Sequence, residues 1–496
     1  MFEEAESDPT LSEAQARQVI PSLRTRLLAA QYKHLHAKDR ALLVLVGGID
    51  GAGKGDTINL LNDWMDPRHI QTMAFPAITD RDRIYPPMYR FWQHLPAKGE
   101  MGIVFGSGYA PAVREASKKN PDPDKLAHLI LTARSYEADL VANGIQVIKL
   151  WFHLSKKAQQ LRAQALLSNA STAWKVGKAD LKVKKRFERL RVAGQRIIEA
   201  TDSDHAPWFI IPAADDNMRN IRTGQAVLHS LRKRSVRVPL LHDPAVPPAM
   251  QRLHDPLDNI DHTTTMLKGD YEAQLLLWQN RLATVVRDPR FVKNHALMLV
   301  FEGQDAAGKG STIRRLTQAL DARQYEIMSV GAPQPFELDR PYLWRFWRKV
   351  PARGRISIFD RSWYGRVLVE RVERLIPPST WQRAYSEINA FENQMSSHGV
   401  IVLKFWLSIT KDEQLRRFRD RERLPFKQYK ITPDDWRNRR KWTEYAQATA
   451  DMLTNTNTAQ ARWHPLPSND KRYARIEVLK RVVHAIESQI EQHAKS

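Results

Sequence analysis

Two uninterrupted apolar runs, Ala41 to Val46 and Ala296 to Phe301, each lead into a glycine-rich polar turn and then an amphipathic stretch. Apolar positions without alternation predict a strand covered on both faces. After each run, short apolar segments keep alternating with longer amphipathic ones, in the first half to about residue 232. That alternation predicts an α/β fold, a parallel sheet covered by helices. Ahead of the first run, Val19, Ile20, Leu23, Leu27 and Leu28 recur at helical spacing and predict a helix packed on the core. Residues 233–262 carry Pro239, Pro244, Pro247, Pro248 and Pro256, and predict an irregular, exposed linker between domains at 1–232 and 263–496.

The two halves are in register. Lys54 and Lys309 differ by 255, and the same offset carries Arg90-Phe91-Trp92 onto Arg345-Phe346-Trp347, Glu137 onto Glu392, Lys149 onto Lys404 and Trp208 onto Trp463. Two copies of one domain stand in tandem. Positions where they disagree are therefore informative without any other sequence.

Gly303-Gln304-Asp305-Ala306-Ala307-Gly308-Lys309-Gly310-Ser311-Thr312 reads as a phosphate loop opening a helix. Inward-pointing backbone N–H groups and the positive helix end hold phosphate there, with Lys309 as a point charge. Gly303, Gly308, Gly310, Ser311 and Thr312 are its phosphate-binding candidates. Gly310 stands where such loops carry Ser or Thr, which moves the expected metal contact to Asp305; Asp305 capping the loop backbone is the alternative. The run Arg355 to Asp360 reads as a strand, placing Asp360 to share Mg²⁺ with Asp305 and Arg361 to clamp phosphoryl oxygens.

Further on, Arg417, Arg421, Lys427 and Lys430 belong to a dense basic segment, either a solvated helix face or a cover over bound phosphates. Glu392 is either a solvated helix residue or an outer contact to metal or acceptor. Arg345 either steers the acceptor or snorkels beside Phe346 and Trp347. In the first copy Asp360 becomes Phe105, Arg361 becomes Gly106, Arg421 becomes Leu166 and Lys427 becomes Thr172, while Lys54, Arg162 and Lys175 are kept. That copy reads as a structural or binding pseudo-domain.

With 77 Lys+Arg against 55 Asp+Glu, a formal charge of +22 points to polyanionic partners: nucleic acid, anionic membrane or polymeric phosphate. A hydrophobic content of 42% argues for a folded protein. The absence of Cys excludes disulfides, thiolate chemistry and cysteine zinc sites. No apolar run approaches the roughly 20 residues of a membrane span, and the first residues lack a signal-peptide core, so a cytoplasmic protein with no membrane partner is expected.

The phosphate loop, then Phe359-Asp360-Arg361-Ser362-Trp363-Tyr364, then Lys427-Gln428-Tyr429-Lys430 and Asp435, together resemble the family-2 polyphosphate kinases over nearly the whole chain. The resemblance implies tandem P-loop kinase domains with a thymidylate-kinase-like core, a helical lid, Mg²⁺ or Mn²⁺, and catalysis in the C-terminal copy. It also implies transfer of a phosphoryl group from inorganic polyphosphate to AMP, giving ADP, and it matches Asp305, Lys309, Asp360, Arg361 and Arg421 to the family's motifs. Where that family has Asp-Asp-Pro, this chain reads Arg423-Leu424-Pro425. Single-copy members associate, which leaves a homo-oligomer open. An ATP-dependent nucleotide kinase is the first rival reading, and a non-enzymatic nucleic-acid binder, suggested by charge alone, is the second.

Overall fold

The structure, a computed structural model, describes residues 1–76, 78–176, 183–233, 256–424, 429 and 431–495. The first half contributes β1 (Ala41–Gly48), β2 (Ile70–Ala74), β3 (Met101–Phe105), β4 (Ile145–His153) and β5 (Trp208–Pro212). The second contributes β6 (Ala296–Gly303), β7 (Tyr325–Ser329), β8 (Ile356–Asp360), β9 (Val400–Ser408) and β10 (Trp463–Pro467). Each set forms a five-stranded parallel sheet, in the order β2-β3-β1-β4-β5 and β7-β8-β6-β9-β10. Ala41 pairs with Ile145 and Ala296 with Val400, so the sequence offset is also a register in space.

The apolar runs explain the centre of each sheet. Leu42 and Val44 in β1, and Leu297 to Phe301 in β6, are fully buried, as strands with helices on both faces require. Between β3 and β4 the chain crosses through a helix at Pro123–Ala142, and between β8 and β9 through one at Pro378–Ser396. The chain leaves β6 for β7 and β8 on one side and then crosses to β9 and β10 on the other. This reversal opens the crevice at the carboxyl ends of the strands where α/β folds bind ligands.

The N-terminal helix runs Glu13–Ala37, entered through a capping box between Ser12 and Gln15. Its buried stripe is narrower than the spacing suggests: Leu23 and Leu27 are buried, whereas Val19 and Leu28 are exposed. Two compact units emerge. One holds Met1–Ile78, the first half from Arg90 on, and the segment Gln334–Trp344. The other holds Thr79–Tyr89, the second half up to Pro333, and the chain from Arg345 on. The segments 79–89 and 334–344 are related by the 255 offset, so each half lends the corresponding piece to the other unit. Within the first unit Lys98 N–H donates to the Asp339 carbonyl at 2.9 Å, and within the second Arg353 N–H donates to the Ile84 carbonyl at 3.1 Å. Most of the linker expected at 233–262 lies outside the described residues. No helix among the described residues is long and apolar enough to cross a membrane.

Candidate functional site

β6 ends at Gly303, whose φ of 145° and closeness to β9 admit only glycine: a Cβ there would lie 2.3 Å from the Leu407 carbonyl oxygen. The chain turns through Ala306 (φ 66°) and Gly308 (φ 109°) into a helix at Lys309–Thr317. N–H groups at such a helix start have no helical carbonyl to bond. Lys309 curls back, its Nζ donating to the carbonyls of Gly303 at 2.7 Å and Gln304 at 3.3 Å. Burial, with Arg361 nearby, pushes its ammonium below the usual lysine range. The Ser311 and Thr312 hydroxyls turn back to the Gly308 carbonyl at 2.8 and 3.2 Å.

Three carboxylates gather around this lysine. Asp360 ends β8, half-buried, and its side chain has no hydrogen-bond partner among the described residues. A Cβ on Gly310 would lie 3.8 Å from its Oδ2, so the glycine after Lys309 keeps open the space that faces Asp360. Asp305, in the loop, accepts from Arg361 Nη2 on Oδ1 at 2.9 Å and from Asn438 Nδ2 on Oδ2 at 2.8 Å. Glu302 is buried and accepts from the Ser362 hydroxyl at 2.8 Å; burial pushes its carboxyl up. For Arg361, burial favours the neutral form, but Asp305, Glu302 and Asp360 outweigh it and raise the guanidinium above its ordinary value. Arg361 also holds a φ of 63°, a conformation costly for a side chain other than glycine.

The first copy keeps the cradle and loses this company. Lys54 Nζ donates to the Ile49 carbonyl at 2.6 Å and the Gly48 carbonyl at 3.2 Å, as Lys309 does to the matching pair. Gly106, at φ 70°, occupies the turn that Arg361 occupies, and Phe105 replaces Asp360. Around Gly53 sit two guanidinium groups. Arg219, with a side chain 1% exposed, reaches Asp216 at 2.8 Å, and Arg162 reaches the same carboxylate at 2.6 Å and Asp56 at 3.5 Å. Lys175 pairs with Asp56 at 2.9 Å. Asp56 and Asp216 stand where the second copy has Ser311 and Lys471. Arg162, Lys175 and Arg219 are thus met by the protein's own carboxylates.

A family model described as polyphosphate kinase 2 (PPK2) matches residues 10–239 and again 265–494. The chain belongs to the polyphosphate kinase 2 family. A relative from Pseudomonas syringae pv. tomato, named polyphosphate:AMP phosphotransferase, is 43% identical over 98% of this chain and 98% of its own length. One from Pseudomonas aeruginosa with the same name is 43% identical over 98% and 99%. A crystal structure from Pseudomonas aeruginosa PA01, assigned to polyphosphate kinase 2, superposes with a TM-score of 0.87 at 42% identity, covering 99% of each chain.

In this polyphosphate kinase 2 chain the structure brings Asp305, Lys309, Asp360 and Arg361 together at the loop that Gly303, Gly308, Gly310, Ser311 and Thr312 form. Arg417 is bonded to the protein through its whole guanidinium group. It is 4% exposed and donates from Nε to Glu413 at 2.5 Å, from Nη1 to the Ala306 and Ala307 carbonyls at 2.8 and 3.1 Å, and from Nη2 to the Ser468 and Asn469 carbonyls at 2.6 and 2.9 Å. All five of its N–H groups are used, so it staples the loop from behind. Glu392 is not a solvated helix residue. It is fully buried, accepting from Lys404 Nζ at 2.7 Å, the Tyr364 hydroxyl at 2.7 Å and Trp363 Nε1 at 3.0 Å. Glu137 and Lys149 repeat that ion pair in the first copy at 2.7 Å. Arg345 donates to the Gly331 carbonyl at 3.2 Å and lies over the Phe346 ring at 5.4 Å, and Arg90 does the equivalent with Pro76 and Phe91. Arg421 is half-buried, close enough to Arg417 for the two charges to oppose each other. Lys427 and Lys430 lie outside the described residues.

Glu302, Asn438 and Arg475, which bonds the Ser311 hydroxyl at 3.2 Å, were not singled out by motif. The register between copies carries the missing signal, since they stand opposite Gly47, Val183 and Asn220. Among the described residues no three or more His, Asp or Glu gather as a metal cage. Asp305 and Asp360, both near Lys309, are the carboxylates that could hold Mg²⁺ together with substrate phosphates and water.

Proposed function

We propose that the second copy moves the terminal phosphoryl group of inorganic polyphosphate to AMP, giving ADP, in the cytoplasm and with no membrane or nucleic-acid partner. The observation that carries this reading is the cluster of Lys309, Asp305, Asp360 and Arg361 at one loop, in a chain similar along its length to proteins named polyphosphate:AMP phosphotransferase. The P–O bond to the rest of the chain breaks as a bond forms to an AMP phosphate oxygen, and the polymer leaves one unit shorter. An AMP phosphate oxygen is already ionised, so no strong general base is needed. The reaction is positioning and charge neutralisation.

Phosphate competes for the groups now bonded to the protein itself. Lys309 exchanges the carbonyls of Gly303 and Gln304 for phosphoryl oxygens, and the planar guanidinium of Arg361 exchanges Asp305 for phosphate oxygens. Asp305 and Asp360 would hold Mg²⁺, or Mn²⁺ in its place, which when bound offsets charge on the phosphoryl oxygens. Half-buried Arg421 adds positive charge from the basic helix. The +22 surface draws in a long polyanion.

Purified protein given AMP, Mg²⁺ and long-chain polyphosphate, with no nucleoside triphosphate, should form ADP. No ADP, or ADP only when ATP is supplied, would contradict the reading. A panel of ADP, GMP and GDP in place of AMP fixes the acceptor.

A further inference from the structure

Asp305 is the loop carboxylate best placed to meet a cation, yet in this structure its two oxygens are shared between different elements. Oδ1 belongs to Arg361 at the end of β8, and Oδ2 to Asn438 on the helix Pro433–Arg440. Its side chain is only 11% exposed, so these partners set its orientation. The two donors differ in charge. A guanidinium next to a divalent cation is repelled and has phosphate to go to; a neutral amide is not repelled and can remain.

Asn438 is itself held. Its Oδ1 faces the Tyr445 hydroxyl at 3.3 Å, and that hydroxyl also faces Glu373 at 3.4 Å. Glu373 in turn pairs with Lys441 at 2.7 Å. In the first copy Asp50 keeps the place of Asp305, and Gln159 still donates to its backbone carbonyl as Gln414 does to that of Asp305. The side-chain partners are gone, however. Asn438 becomes Val183, Tyr445 becomes Leu190 and Arg361 becomes Gly106, and Asp50 is left with Arg186 at 3.7 Å. The backbone contact survives where the cation site does not, and the amide disappears together with it.

We propose that Asn438 is a positioning residue for the divalent cation. By occupying Oδ2 it leaves Oδ1 of Asp305 as the single oxygen turned to the metal once Arg361 moves to phosphate, with Tyr445 fixing the amide. The proposal rests on the phosphotransferase reading. Hydrogen-bonded partners of metal ligands typically contribute 10- to 100-fold in metal affinity or activity.

The test is Mn²⁺ affinity of the full-length protein without polyphosphate, followed by water-proton relaxation, alongside the Mg²⁺ dependence of ADP formation. Asn438→Ala should weaken Mn²⁺ binding about tenfold or more and raise the Mg²⁺ concentration for half-maximal rate, with unchanged far-UV circular dichroism. Tyr445→Phe should act in the same direction by a smaller factor. Mn²⁺ affinity within twofold of wild type in both variants, or a loss of rate with no change in Mg²⁺ dependence, would overturn the proposal. A wild type that binds Mn²⁺ but makes no ADP from polyphosphate would count against the functional reading, whereas the Mn²⁺ titrations judge Asn438 separately.

Discussion

Lys54 and Lys309 fold back onto matching carbonyls at the mouths of matching loops, but different side chains close around them. At Lys309 the neighbours are Asp305, Asp360, Glu302 and Arg361, with Asp360 left without a hydrogen-bond partner among the described residues. At the first loop, Arg162, Arg219 and Lys175 are paired with Asp56 and Asp216. A backbone cradle is therefore not sufficient for an active site. What separates the copies is which side chains stand beside the loop: Asp360 and Arg361 at the second, and cations paired with Asp56 and Asp216 at the first.

The comparison breaks most sharply at Asp360. Asp360→Phe, which installs the first copy's residue, should lower ADP formation by about 10³-fold, since it removes a carboxylate at the loop that has no hydrogen-bond partner among the described residues. The folded protein should persist, as judged by circular dichroism.

Arg361→Gly sharpens the contrast in a second way, because activity and stability should part. Turnover should fall by about 10²-fold or more with the loss of the clamp. Stability in urea should stay level or rise by at most about 1 kcal/mol, as relief of the left-handed strain is offset by glycine's larger unfolded-state entropy. The ion pair to Asp305, exposed on the Arg361 side alone, adds little to that balance.

His464 gives the smallest effect. Burial, with Arg481 beside it, holds its imidazole at about 4, against an ordinary value of 6.5. Between those values the unfolded chain binds more protons, so the folded state loses stability as pH falls from about 6.5 to about 4. His464→Phe, which copies Phe209, should flatten that part of the pH–stability curve in thermal melts without changing turnover at neutral pH.

Much of this was legible in sequence because it depends on local pattern. Unbroken apolar runs mark the central strands, and glycines mark the loops, since positive φ and the close approach of β9 leave no alternative. The identity of the Asp360–Arg361 strand end followed from its place after an apolar run. Harder to read in sequence are residues whose partners come from far along the chain. Glu392 looks solvated on a helix until β9 brings Lys404 against it, and Arg417 looks like one cation of a basic face until two distant loops supply its carbonyls. Asn438 lies 133 residues beyond the carboxylate it holds. Its signal lay in the copy-to-copy difference, where an amide facing Asp305 becomes a valine.

The most direct test is polyphosphate-dependent ADP formation by two single variants, Lys309→Ala and Lys54→Ala, both shown to be folded. Lys309→Ala should abolish turnover, and Lys54→Ala should keep it within about twofold of wild type, because only the second loop has Asp360 and Arg361 beside it. Equal loss in both variants would contradict the account and make the first copy a working part of the enzyme.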